Sequence, residues 1–122
     1  MVRAEVRKFT AADEFEMAER CFITEVANNP SDETVSIARA RVEPGVTTAW
    51  HKLRDVAERY LIVSGQGRAE IGNLEPAAVT AGDVICIPPD MPQRITNTGK
   101  DNLIFFAVCS PRFTAGCYIS LE

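Results

Sequence analysis

The sequence predicts an all-β fold, a sandwich or barrel of roughly eight to ten short strands. Three observations predict it. Short runs rich in Val, Ile, Thr and aromatic residues recur from Arg20 to Leu121. Turn-forming clusters stand between them, among them Asn28-Asn29-Pro30-Ser31-Asp32, Glu43-Pro44-Gly45, Gly65-Gln66-Gly67 and Gly82-Asp83. Helical patterning is confined to one stretch near the N-terminus. With 122 residues the chain reads as a single domain, 1–122, long enough to bury about two-thirds of its extended-chain surface.

Taken in order, Met1 to Phe9 alternates loosely, with Val2, Ala4 and Val6 against Arg3, Glu5 and Arg7, which suits a first, edge-like strand. Thr10 can cap a short helix from Ala11 to about Glu19, with Asp13 near its positive end. Arg20 to Ala27 reads as a strand by its β-branched and aromatic content, and Thr34 to Val42 as the next. Arg39 and Arg41 share one face of that strand. They either form a solvated face, with Ala38, Ala40 and Val42 turned inward, or one of them enters the interior to bind an anion bidentately.

Thr47 to Leu53 and Glu58 to Ser64 are strand segments flanking the polar run Lys52-Leu53-Arg54-Asp55. Residues two apart on a strand share a face, so His51 points with Leu53, and Glu58 with Tyr60 and Ile62. Trp50 has the opposite parity and points away. Gly65-Gln66-Gly67 turns the chain into Arg68 to Ile71, and Ala77 to Thr80 returns. Val84 to Ile87, Pro92 to Thr96 and Leu103 to Cys109 follow as strands, and the tail from Cys117 to Leu121 is strand-like.

Composition narrows the function classes. A net charge of −4 with no Lys/Arg cluster argues against nucleic acid as a partner. No apolar run approaches the ~20 residues of a membrane span. The N-terminal Met-Val-Arg-Ala-Glu-Val-Arg-Lys is too charged for a secretory signal, which leaves a soluble, cytoplasmic protein as the expectation. The four cysteines, Cys21, Cys86, Cys109 and Cys117, form no Cys-x-x-Cys pair and read as free, buried thiols. Cys109 ends an apolar strand that should line the interior.

The only histidine, His51, and the carboxylate of Glu58 can converge if their two strands pair. Their spacing, G-x5-H-x-L-x4-E-x6-G from Gly45 to Gly65, resembles the first motif of the cupins, G-x5-H-x-H-x3,4-E-x6-G. The stretch from Gly82 to Asn97 resembles the second, G-x5-P-x-G-x2-H-x3-N. The resemblance implies a double-stranded β-helix, or jelly-roll, barrel with one short N-terminal helix added. It also implies a small-molecule ligand or substrate, and a homodimer that removes exposed strand edges.

Cupins typically hold a divalent metal with three histidines and a glutamate. This chain keeps His51 and Glu58, but places Leu53 and Gln93 at two histidine positions and Asp90 at the glycine. The implied metal set is thus His51, Glu58 and Gln93, binding zinc, iron, nickel or manganese weakly. A glutamine oxygen is a poorer donor than imidazole for such metals. Leu53, Gln93 and Arg39 are candidate ligand-binding residues.

Two functions follow. One is an enzyme of isomerase, lyase or dioxygenase type, metal-assisted or acid–base, with His51 as base, Glu58 orienting it and Tyr60 as acid. The other is a non-catalytic sensor or carrier that has lost its metal site, in which His51, Glu58 and Gln93 only satisfy one another.

Overall fold

The computed structural model describes residues 2–122. Two antiparallel sheets face each other. The first has six strands in the order β1-β2-β3-β10-β5-β8: β1 (Phe15–Met17), β2 (Cys21–Ala27), β3 (Ser36–Val42), β10 (Leu103–Ser110), β5 (Ala57–Ser64) and β8 (Val84–Ile87). The second has five, in the order β11-β4-β9-β6-β7: β11 (Tyr118–Ser120), β4 (His51–Leu53), β9 (Gln93–Asn97), β6 (Gln66–Ile71) and β7 (Ala77–Thr80). The expected jelly roll is the observed architecture. Among the described residues no helix is long and apolar enough to cross a membrane.

Period-two patterning builds the core. On β10, Leu103, Phe105, Ala107 and Cys109 are buried while the residues between them are not. On β5 the buried set is Glu58, Tyr60 and Ile62. Leu103, Phe105 and Ile62, with Val42 and Ile95, fill the space between the sheets, and each of these side chains stabilises the fold by about 1.5–3 kcal/mol through burial. A smaller cluster of Leu53, Val56, Cys109 and Cys117 closes one end.

Gly65 illustrates why the turn between β5 and β6 is specified. Its φ is +89°, and a Cβ there would sit 2.7 Å from the Asn102 carbonyl oxygen. Asp90 stands where the cupin motif has glycine, yet it adopts a φ of 65°. Aspartate tolerates the left-handed region better than most residues, so the substitution preserves the loop. The Asp90 amide donates to the Leu53 carbonyl at 2.9 Å and ties that loop to the site strand.

The N-terminal third departs from expectation. Residues 2–10 form no strand, and Met1 lies outside the described residues. In place of a helix from Ala11 to Glu19, a single 3-10 turn spans Ala11–Asp13, and the Thr10 side chain does not cap it. Phe15–Met17 then pairs with β2 in the register Phe15↔Ile23, Met17↔Cys21. A helix of about nine residues is marginal alone. Adding a strand to a waiting sheet edge satisfies the same backbone groups and turns Met17 toward the core. Cys86 also departs: it is exposed on edge strand β8, while the other three cysteines are buried, and all four are free.

Candidate functional site

Between the sheets, at the end closed by β4 and β11, lies a cavity of about 210 Å³. Its walls are largely apolar, with Phe15, Met17 and Ile23 on one side and Phe105, Ala107 and Leu53 on another. His51, Glu19, Glu58, Tyr60 and Tyr118 also line it. His51 and Glu58 face the same cavity, but not through a hairpin. Strand β4 pairs with β9 and β11, β5 pairs with β10 and β8, and the two residues reach the cavity from opposite sheets.

The two expected partners are nevertheless not paired with each other. Nδ1 of His51 lies 2.7 Å from the Ala49 carbonyl oxygen. A carbonyl can only accept, so Nδ1 carries the proton and Nε2 is left facing the cavity. The carboxylate beside Nε2 is that of Glu19, at 3.6 Å. Tyr118 stacks on the imidazole with ring centroids 5.0 Å apart and fixes its plane.

Glu19 reaches this point because the turn between β1 and β2 is clamped. The Ala49 amide donates to the Glu19 carbonyl at 3.0 Å. The neighbouring Arg20, held at a φ of 67°, donates Nε to the Thr47 carbonyl at 2.9 Å. Its other nitrogens make a two-pronged pair with the Glu122 carboxylate at 3.0 and 2.8 Å, and Glu122 in turn accepts from the Trp50 amide at 2.9 Å. The turn is thus fastened to the segment leading into His51 at Thr47, Ala49 and Trp50.

Glu58 belongs to a different network. Its Oε1 accepts from the Gln93 amide at 2.9 Å, and Oε2 accepts from the Cys109 thiol at 3.6 Å. The Gln93 carbonyl oxygen accepts the Tyr60 hydroxyl at 2.6 Å. Burial pushes the Glu58 carboxyl up to about 7, opposed by the Gln93 hydrogen bond and reinforced by the charge of Glu19. Burial raises the Tyr60 phenol well above its usual value, with the Glu58 charge adding to the effect. Tyr60 therefore keeps its proton, and donates it to Gln93.

Leu53 lines the cavity and packs into the smaller apolar cluster. Gln93 sits behind the wall, bridging Tyr60 and Glu58, and is 1% exposed. Arg39 is a correction: it does not enter the cavity. It lies on the outer face of β3, stacked over Phe9 at 5.0 Å with its NH1 3.7 Å from Glu14. Arg41 does the same over Phe22, with a 2.7 Å pair to Glu14. On β3 it is Ala38 and Ala40 that line the cavity, because a guanidinium placed there would lose both its water and its carboxylate. Trp50 points outward, as its parity required, and lies under Arg94.

As a metal centre the donor set fits poorly. Among the described residues no three His, Cys, Asp or Glu side chains gather around one point. Both functional ends of Gln93 are occupied by Tyr60 and Glu58, and Leu53 offers no donor. His51, Glu58 and Gln93, the set read from the motif, spend polar atoms on other protein groups, His51 Nδ1 on the Ala49 carbonyl and Gln93 on Tyr60 and Glu58. Glu19 is the site residue that the helical reading concealed. A period-two reading of Phe15, Met17 and Glu19 would have found it, since all three line the cavity.

A family model for the cupin domain matches residues 38–109. An uncharacterized protein of Methanocaldococcus jannaschii is 35% identical over 79 residues, a match that spans 65% of this chain and 62% of that protein. An uncharacterized conserved protein with a double-stranded β-helix domain from Klebsiella pneumoniae superposes with a TM-score of 0.78 at 19% identity, covering 97% of this chain and 99% of its own. A nucleoside dehydratase from Streptomyces superposes with a TM-score of 0.77 at 19% identity, covering 97% of this chain and 92% of its own.

Proposed function

The chain belongs to the cupin family, and on that premise we propose that it is an acid–base enzyme acting on a small organic molecule in the barrel cavity. The observation that carries this reading is the state of His51. Its Nδ1 proton is spent on the Ala49 carbonyl, so in the neutral ring Nε2 presents a lone pair to an apolar cavity with the Glu19 carboxylate 3.6 Å away. A proton taken from the substrate would reside on Nε2. The imidazolium so formed would be stabilised by Glu19 on one side and the Ala49 carbonyl on the other. The apolar walls strengthen that electrostatic support by keeping water out.

Isomerisation and elimination need no more than this. One base can remove a proton from one atom and return it to another, or remove it as a leaving group departs. Glu58 is assigned a supporting part, since its oxygens are bound by Gln93 and Cys109. Tyr60 supports through Gln93 in the same way. A fold relative that is a nucleoside dehydratase is compatible with chemistry in such a cavity, but its substrate is not carried over.

Incubation with small α-hydroxy ketones in deuterated water tests the reading, followed by proton NMR of the carbon-bound hydrogens. The wild type should catalyse exchange and His51→Gln should not. Exchange that survives in His51→Gln would contradict the assignment.

The second reading, a non-catalytic sensor or carrier, is favoured by the closed Tyr60–Gln93–Glu58 network and by Leu53 among the buried apolar residues. Binding of the same ketones without exchange would select it.

A second copy of the chain is the proposed partner. The sheets end on β1 and β8 and on β11 and β7, and Phe15 and Val84 on two of these edges are exposed. Light scattering should return about twice the chain mass of 13.4 kDa.

A further inference from the structure

We propose that the cavity selects a small aromatic or apolar molecule carrying a cationic hydrogen-bond donor, such as an amine or amidine, whose N–H groups dock on Glu19 beside His51. The proposal rests on the cavity being the ligand site and adds the chemical class of the ligand.

Its basis is a census of the polar groups that face inward. His51 is 4% exposed, and among the described residues nothing donates to its Nε2. Glu19 Oε1 accepts only from the Cys21 thiol at 3.2 Å, and Oε2 lies toward Nε2. These open valences are all acceptors. Most donors in the walls are already used, the hydroxyls of Ser36 and Tyr118 excepted. The Tyr60 hydroxyl is held by Gln93, the Asn28 amide by the Phe113 carbonyl, and the Thr48 hydroxyl by the Ile95 carbonyl. A ligand that fills the open valences must therefore bring the hydrogens itself.

Charge points the same way. Glu19, Glu25 and Glu58 line the cavity and, among the described residues, no lysine or arginine does. The arginines nearest to these strands are engaged elsewhere: Arg39 and Arg41 with Glu14 on the outer face, and Arg20 with Glu122. An anion entering the cavity would lose its water beside carboxylates without gaining a cation, a strongly unfavourable exchange. A cation gains the Glu19 carboxylate in a cavity whose lining includes the aromatic rings of Phe15, Phe105 and Tyr118.

Three probes of matched shape separate the possibilities: benzylamine, benzyl alcohol and benzoate, each titrated into the intact protein and followed by NMR. Benzylamine should bind at least ~10-fold more tightly than benzyl alcohol, with benzoate weakest, as one charge-assisted hydrogen bond in a desolvated site would give. Glu19→Gln, which keeps the side chain's shape, should remove most of that preference. Benzoate binding as tightly as benzylamine would overturn the charge selection while leaving the cavity as a ligand site. A preference that persists in Glu19→Gln would overturn the role of Glu19. Failure of all three probes to shift the His51 or cavity-wall resonances would overturn both this inference and the assignment of the cavity as the ligand site.

Discussion

Two walls of the same cavity handle polarity in opposite ways. The wall built by motif strand β5, with Gln93 of β9 behind it, is closed on itself: Tyr60 donates to Gln93, Gln93 to Glu58, and the Cys109 thiol to the second Glu58 oxygen. The wall built by the β1–β2 turn and β4 is left open, with Glu19 and His51 3.6 Å apart and presenting acceptors. A cupin-like spacing of His and Glu therefore marks where the cavity is, but not which carboxylate serves the histidine. With Leu53 and Gln93 at two histidine positions, a potential ligand shell becomes packing and an internal hydrogen-bond chain. The reactive geometry then depends on a residue outside either motif.

If the closed wall is structural, breaking it should cost stability. Gln93→Leu leaves the Tyr60 hydroxyl and the Glu58 carboxyl without their partner, two buried groups at roughly 1–3 kcal/mol each. Urea unfolding should show a loss of about 4 kcal/mol, the sum of the two at mid-range. A variant as stable as the wild type would mean that the network adds nothing beyond packing.

Glu58 should also make stability depend on pH. Its carboxyl titrates near 4.5 when unfolded and near 7 when folded, so between these values the folded state holds the extra proton. Stability should therefore fall as pH rises from about 4.5 to 7 and level off above, by on the order of 3 kcal/mol from this group. Glu58→Gln should flatten that slope and raise Tm above pH 7. Melting curves for both proteins across the range decide it, and an unchanged slope in the variant would place the titrating group elsewhere.

Restoring histidines should reopen the closed wall to metal. Leu53→His with Gln93→His places imidazoles at the motif's other two positions, near His51. Losing even a group that only hydrogen-bonds to a ligand typically costs ~10–100-fold in metal affinity. Two new imidazole ligands should therefore strengthen zinc or nickel binding by at least ~100-fold over the wild type. Calorimetric titration after chelator treatment measures this. Stoichiometric tight binding by the wild type would contradict a Gln93 fully engaged by Tyr60 and Glu58.

The smallest expected effect concerns the open wall's clamp. Arg20→Ala removes the two-pronged pair with Glu122 and the bond to the Thr47 carbonyl, all at the surface. Stability should change little, because exposed pairs contribute little. The Glu19 carboxylate should lose its fixed place beside His51, and benzylamine affinity should fall several-fold. Unaltered affinity would show that the Ala49–Glu19 backbone bond alone sets the turn.

Much of this architecture is legible in the sequence, for identifiable reasons. Period-two parity places His51 with Leu53 and Glu58 with Tyr60, and the motif spacing marks the strands that carry them. Parity also sends Trp50 outward. What sequence reasoning misses lies where local preference and tertiary pairing compete. Ala11 to Glu19 carries a fair helical signal, but the edge of β2 offers a partner, and the segment becomes a turn and a strand. The helical reading hides Glu19. Arg39 is ambiguous because alternation specifies two faces without saying which is inside. Ala38 and Ala40 beside it decide the matter, since small residues leave room for a cavity and arginines do not.

The state of His51 is the central claim, and the chain's single histidine makes it directly measurable. Nitrogen-15 NMR of the imidazole at alkaline pH yields one pair of ring resonances, free of overlap from any other histidine. The expected result is a protonated Nδ1, held by the Ala49 carbonyl, and an unprotonated Nε2 whose resonance moves when benzylamine is added. A protonated Nε2 with a bare Nδ1 would contradict it, because the lone pair would then face the backbone and not the cavity.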